Sequence, residues 1–285
     1  MPAVPTPLTR LIAPRTALAS CVRAILVRDT TRCAPLPPAQ RLNRFPAAPM
    51  CSIIWTVAGD VEAAAPGLSL PDVRMPPALF GGPRSYPLVS YTPAPVHSFV
   101  VMLDPAALHA LTGISMDALL DQFRPLAALF DADWLALSDA VLAAPDDAAR
   151  VRLVEDFLAP RWQAVRKDSD VPAGVVQDWV RRLGVQAAST GLARSARHIE
   201  RRIKAWAGQP MRTLRRMRRA EQLFLDERGA ILQGTASWSD VAASGGYADQ
   251  AHFCRETREI TGLSPTALAR AMRDAESYWI YRIWA

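Results

Sequence analysis

Lysine is nearly missing from this chain of 285 residues: Lys167 and Lys204 are its only two, so arginine supplies almost all of the 33 basic side chains. Cysteine is as thinly spread. Cys21, Cys33, Cys51 and Cys254 form no C-x-x-C pair, and no two of them stand with two histidines at zinc spacing. That excludes a disulfide framework and a structural zinc site, and fits a reducing cytoplasm. Only four histidines occur. His97 and His109 lack an H-x-H spacing or a carboxylate at ligand spacing, so no metal site and no cofactor are read. Gly-rich phosphate loops and a Ser-His-Asp arrangement are likewise missing, and no catalytic residue is nominated. Long apolar runs are absent too. The longest uncharged stretch, Ser85 to Leu103, is interrupted by Pro87, Pro93 and Pro95 and reads as strands with turns, not as a membrane span. Leu18-Ala19-Ser20-Cys21 has the outline of a lipoprotein cleavage site, but Pro14 and Arg15 break its apolar stretch and Arg23 follows at once. A cytoplasmic protein is expected.

What the chain does have is an uneven charge distribution. Residues 181–285 carry 18 basic and 10 acidic side chains, whereas residues 1–180 carry 15 and 17. A polycationic C-terminal part joined to a nearly neutral N-terminal part points to nucleic acid, or another acidic surface, as the partner of the former. Half the residues are apolar and 21% are charged, enough to bury ordinary cores, and the length favours two domains.

Punctuation divides the chain further. Residues 1–40 hold five arginines, one acid (Asp29) and repeated prolines. They read as a disordered arm, as sequence upstream of the true start, or, third, as a transit peptide, with the globular part starting near Arg41. From Met50 to Asp104 the signals are β: Cys51–Val57, Tyr86–Tyr91 and Val96–Leu103 are rich in β-branched and aromatic residues between glycines and prolines. A small barrel or sandwich is expected over 45–104. Ala106–Leu111, Met116–Phe123, Trp134–Leu142 and Ala148–Trp162 space their apolar residues as helices do, which makes 105–166 helical. Residues 167–175 read as a polar linker, 176–270 as a helical, basic domain, and 271–285 as an aromatic tail that folds back on its own domain or docks on a partner subunit.

The basic domain carries the informative spacing. In Ser195–Trp206, Ile199, Ile203 and Trp206 make one stripe, and Arg197, Arg201 and Lys204 repeat its spacing about 200° around the helix. Ser195 is the expected N-cap, and Gly208 and Pro210 stop the helix. Pro210 opens a second helix to about Glu227, roughly 17 residues or about 25 Å. Then Trp238–Arg255 reads as helix, turn at Gly245-Gly246, and a helix capped by Asp249. Phe253, Ile260, Leu263, Trp179 and Leu214 are core by spacing.

Residues 176–268 resemble the DNA-binding domain of AraC/XylS-type transcription regulators, which carry two helix-turn-helix units joined by a long helix. The specific part is Val241-Ala242, Gly246-Tyr247, Asp249-Gln250, His252-Phe253, Arg255 and Gly262-x-Ser264-Pro265; Ser195, Arg197, Ile199, Arg201 and Ile203 match in the first unit. Departures are Ala188-Ser189 for a Leu-Ala pair, Ala193 near an expected glycine and Thr257 for a Phe. They loosen the reading expected of the first unit. Residues 41–166 are similar in texture to the cupin-like sensor domain of some such regulators, through Phe80-Gly-Gly-Pro-Arg84 and Val96–Leu108.

The resemblance thus implies an α+β fold: a small β-rich, cupin-like N-terminal domain with following helices, then an all-α DNA-binding domain of two helix-turn-helix units. It implies a sequence-specific, DNA-binding transcription activator or repressor working with RNA polymerase, and ligand binding or dimerisation through the N-terminal domain. By position, Arg197, Glu200, Arg201, Gln250, Ala251, His252 and Arg255 face base edges. Arg can fork onto guanine, Gln onto adenine, and Glu can accept from cytosine. Arg202, Lys204, Arg215 and Arg216 fall to phosphates. Two rivals stand beside this reading. An Arg-rich protein binding an acidic partner shares the charge pattern, and an alkyl-transfer repair enzyme shares the domain type. The second needs an activated thiolate, and Cys21, Cys33 and Cys51 stand in no Pro-Cys-His-Arg-like context.

Overall fold

The computed structural model describes residues 6–63, 74–166, 179–180, 183–184, 187 and 196–283. Its N-terminal part is built on β1 (Leu8–Ile12), β2 (Val22–Asp29), β3 (Leu42–Phe45), β4 (Cys51–Ala58), β5 (Glu62–Ala63), β6 (Ala78–Gly81), β7 (Leu88–Tyr91) and β8 (His97–Leu103). Then follow α1 (Pro105–Thr112), β9 (Phe123–Pro125), α2 (Ala132–Ala143) and α3 (Asp147–Val165). The strands form a six-stranded sheet ordered β1-β2-β8-β4-β6-β9 and a three-stranded sheet ordered β3-β7-β5, and every pairing is antiparallel.

Alternation along the central strands decides what each face meets. Ile25 and Ile53 both pair with Val101, and Val27 and Trp55 both pair with Phe99. These side chains face α1–α3, where they join Leu108, Trp134, Val154, Leu158 and Trp162 in the main core. The Trp55 indole donates to Ser138 Oγ on α2 at 2.9 Å, so its one polar atom is satisfied inside that core. Ser52, Ile54, Ser98, Val100 and Met102 alternate to the other face, which meets the C-terminal helices across a cavity.

Two expectations need correction. Residues 1–40 are not an arm: β2 lies inside the six-stranded sheet between β1 and β8, and Ile25 and Val27 are fully buried. Four of its five arginines are paired with acids elsewhere: Arg10 with Asp147, Arg15 with Glu155, Arg23 with Glu221 and Arg28 with Glu276. The stretch Met116–Phe123 is not one helix either. A single 3-10 turn at Met116–Leu119 gives way to β9, which pairs with β6 at the sheet edge and ends on Pro125.

The C-terminal part consists of α4 (Ala196–Ala207), α5 (Met211–Gln233), α6 (Trp238–Ser244), α7 (Gln250–Thr261), α8 (Pro265–Asp274) and α9 (Trp279–Ile283). The chain therefore has the expected class, a β-rich region with following helices and then a helical domain. α5 runs six residues past the expected end. Gly229 stays helical and exposed, and the helix stops at Gly234, φ +75°, a conformation open to glycine. The linker 167–175, Ser195, Ala188-Ser189 and Ala193 lie outside the described residues.

Truncating a core residue of β2 distinguishes a sheet strand from an arm. Ile25→Ala is expected to cost about 2–4 kcal/mol in a urea titration, whereas the same change in a disordered arm leaves the midpoint in place.

Candidate nucleic-acid interface

The first unit is assembled on an apolar seam. Ile203 and Ala207 of α4 are buried against Val180, Leu183 and Ala187 and against Met211 and Leu214 of α5, with Ile199, Trp206 and Trp179 partly buried beside them. The opposite face carries Arg197, Arg201 and Lys204, all exposed, with Glu200 half-buried. Gly208, at φ +75°, returns its N–H to Lys204 O at 2.7 Å, and Pro210 opens α5. With 23 residues, α5 is about 34 Å long at 1.5 Å per residue, close to one turn of B-DNA.

The second unit closes on α5's far end. Leu223, Val241, Ala242, Tyr247 and Phe253 form its core. The turn between α6 and α7 is held by Tyr247 N–H to Ala242 O at 3.0 Å and Gly246 N–H to Ala243 O at 3.1 Å, with Gly246 at φ +67°. Asp249 caps α7 as expected, Oδ1 accepting from the His252 N–H at 2.6 Å. Beneath the helix sits a buried acid. Glu256 accepts from Tyr247 Oη at 2.6 Å and from Arg219 Nη2 at 2.9 Å, and the Arg219 guanidinium lies 4.2 Å from the Tyr247 ring centre. Burial and then the Glu256 carboxylate push the Tyr247 hydroxyl well above the ordinary phenol range, so it stays a donor.

The expected reading residues separate into two groups. Arg197, Arg201, Lys204, Arg215, Gln250, Ala251 and Arg255 are exposed on α4, α5 and α7. Of these, Arg201 has Nη2 3.2 Å from Nδ1 of His198. His252 is half-buried against Tyr247, ring centres 5.2 Å apart. Two arginines expected at phosphates are occupied inside the domain. Arg202 donates to Ala187 O at 3.1 Å with its guanidinium 5.6 Å from the Trp206 ring, and Arg216 pairs with Glu259 of α7. Sequence reasoning passed over two exposed cations on the same helices, Arg212 of α5 and Arg258 of α7. Exposure at helical spacing from Arg215 and Arg255 is the signal that finds them.

Both units are braced against the N-terminal part. Ser115 Oγ donates to Ala205 O at 3.4 Å, Gln209 Nε2 to Arg84 O at 3.4 Å, and Ala47 N–H to Ile260 O at 2.7 Å. Gly208 passes so close to Pro83 and the Met116 carbonyl that an added Cβ would lie 3.0 Å from each.

Between sheet and helices lies a cavity of about 350 Å³, walled by Ile54, Val100 and Met102 on one side and by Phe224, Phe253 and Ile260 on the other. Arg84 lines it at 6% exposure, and none of its three guanidinium nitrogens makes a hydrogen bond. The nearest carboxylate oxygen, Asp121 Oδ1, is 4.0 Å from Nε and is already bonded to the Ser85 N–H at 2.7 Å. Tyr86 and Phe123 lie against the cation at 4.5 and 5.1 Å. The thiols of Cys21 and Cys51, buried in the N-terminal core, are pushed up by burial and then by Asp104, the reverse of an activated nucleophile. Among the described residues, no group of three His, Cys, Asp or Glu could hold a metal ion.

The two ion pairs joining α5 to α7 differ in burial, and so in worth. Glu256→Gln is expected to destabilise by about 2–3 kcal/mol, because its acid is buried and Arg219 is left unpaired. Glu259→Gln, at an exposed pair, is expected to cost about 0.5 kcal/mol or less. Paired denaturant titrations measure both.

Residues 188–271 match the family model of a helix-turn-helix domain. No curated protein matches the chain. Among solved structures it is similar to ToxT from Vibrio cholerae. A 1.65 Å structure shares 10% identity over 86% of this chain and 97% of the other, with a TM-score of 0.39. A structure from strain O395 shares 11% over 82% and 98%, at 0.37, and one bound to an unsaturated fatty acid shares 12% over 94% and 97%, at 0.38. Within that match α5 joins α4 at one end to the helix-turn-helix of α6 and α7 at the other, and residues 188–271 are an AraC-type helix-turn-helix domain.

Proposed function

We propose that this chain is a sequence-specific DNA-binding transcription regulator, reading adjacent major-groove segments through α4 and α7. One observation carries the reading: exposed Arg197 and Arg201 at one end of a helix of about DNA-turn length, and exposed Gln250 and Arg255 at the other. Arg197, Glu200, Arg201, Gln250, Ala251, His252 and Arg255 read bases. Lys204, Arg215, Arg212 and Arg258 grip phosphates, with Arg202 and Arg216 holding the scaffold from which the others reach. The chain acts in the cytoplasm and works on RNA polymerase, and no covalent step is required of it. No described helix is long and apolar enough to cross a membrane.

The cavity supplies the control. A buried, unbonded guanidinium on an apolar wall is costly until an anion meets it. A fork of N–H donors fits a carboxylate in particular. The effector is therefore an apolar molecule bearing one anionic group, seated against Arg84 and touching both the sheet and the second reading unit.

Selection from random duplex DNA at near-physiological salt tests the reading function. Two half-motifs about one helical turn apart are expected, one degraded in Arg201→Ala and the other in Arg255→Ala, each by about 1–3 kcal/mol of discrimination. Lys204→Ala is expected to weaken all sequences alike and to flatten the salt dependence by about one unit. No enriched motif, with equal weak binding by all variants, sinks the reading and leaves an acidic-protein partner. For the cavity, the probe is 1-anilinonaphthalene-8-sulfonate, an apolar anion. Arg84→Met is expected to weaken its binding about tenfold or more, the loss of one charge-assisted contact. Equal binding by both proteins rejects the anchor.

A further inference from the structure

After α8 the chain leaves the helix-turn-helix domain and lies back across the N-terminal sheets. We propose that residues 276–283 are an internal strap, which fixes the second reading unit on the sheet and so determines which half-site spacings the chain accepts. The proposal rests on the DNA-reading function above.

Ser277, Tyr278, Trp279, Ile280 and Tyr281 are all buried. Trp279 Nε1 donates to Asn43 Oδ1 on β3 at 2.8 Å, and its ring meets Phe45 edge-on at 5.8 Å. Arg28 of β2 reaches the segment from beneath, its guanidinium 5.0 Å from the Trp279 ring centre and 2.7 Å from Glu276 Oε1. Arg28 is 5% exposed, and Glu276 is its only ion-pair partner among the described residues. Burial pulls its pKa down and Glu276 is the main group raising it again. The N-terminal sheet thus holds a buried cation whose neutralising acid comes from the far end of the chain. Lifting the strap strands that cation, which makes the docked state the stable one.

The strap's other side is tied to the reading domain. Arg282 donates to Met272 O at 3.2 Å and Ala275 O at 3.0 Å and pairs with Glu276, while Arg228 of α5 donates to Arg282 O. Tyr281 packs on Phe224 of α5 with ring centres 6.4 Å apart. The first unit is held elsewhere, through Ser115 and the Gly208 contact with Pro83. The two ends of α5 therefore have separate attachments to the same N-terminal part. A head held at both its helix and its strap cannot swing to follow a displaced half-site. One added base pair moves that half-site by about 3.4 Å and rotates it by roughly a tenth of a turn.

The test compares the full chain with Trp279→Ala and with Trp279→Phe, which keeps a ring against Phe45 and loses only the indole N–H. By hydrogen exchange, Trp279→Ala is expected to speed amides of Leu42–Phe45 and Pro265–Asp274 by about tenfold or more, with β4 and β8 unchanged. Trp279→Phe gives a smaller effect in the same places. On duplexes carrying the selected half-sites, at the selected spacing or one base pair longer, the native chain should discriminate by about tenfold or more, and Trp279→Ala by about threefold or less. Exchange changes confined to 276–283, or equal spacing discrimination in all three proteins, overturn the strap. If exchange rises in β4 and β8 as well, Trp279→Ala has unfolded the chain, and Trp279→Phe decides by the same two readouts. Failure to select any motif with the native chain is instead a failure of the reading function.

Discussion

A β-sheet with apolar side chains on both faces must be covered on both, and in this chain the covers come from different parts of the sequence. The helices that follow the strands cover the face of Ile25, Ile53, Trp55, Phe99 and Val101. Leu26 and Val100, on the opposite face, are covered by the reading domain and its tail: Ile231, Leu268, Met272 and Trp279 join the same cluster. At roughly 25 cal/mol per Å² of apolar surface, neither cover is dispensable. The C-terminal domain is therefore a structural layer of the N-terminal domain. The cavity exists because this second cover is imperfect: helices laid over a twisted sheet leave room between them.

An apolar molecule in that cavity would lie directly against the second head. A molecule in the cavity touches Ile54 or Val100 of the sheet and Phe253 or Ile260 of α7 together, so it binds a relation between layers. Any difference in that relation between liganded and unliganded states appears as differential affinity, which is the condition for a ligand to shift a population. Thr257 is relevant here. It stands where the family resemblance expects Phe, it is one of the cavity-lining residues, and its hydroxyl is turned back to Phe253 O at 2.9 Å. A phenylalanine there would fill part of the space.

Sequence patterns that depend on one element were readable, and those that depend on a distant partner were not. The stripe of Ile199, Ile203 and Trp206, the Gly245-Gly246 turn and the Asp249 cap are local, and each sits where its spacing put it. So are strands β4 and β8, whose alternation needs no partner to be seen. β2 failed because its charge looked unpaired: nothing near Arg28 in sequence announces Glu276, some 250 residues on. The partners of Arg202 and Arg216 are hidden in the same way, since the Ala187 carbonyl and Glu259 lie on other helices. Arg84 was visible only as part of a textural match, because its meaning lies in the apolar wall around it.

The same distinction sets the two heads apart. On α7, Gln250 and Arg255 have no hydrogen-bond or ion-pair partner among the described residues, and the helix beneath them is held by the buried Glu256. On α4, Arg201 leans on His198, and Arg202 is spent on the Ala187 carbonyl. An exposed contact of this kind costs little to break. On α7 the exposed Arg255 has no hydrogen-bond or ion-pair partner among the described residues, and its helix is anchored by Glu256. Preorganisation of that kind reduces the side-chain ordering that binding must overcome. If one head dominates sequence discrimination it is α7's, with α4 contributing more of its binding through charge.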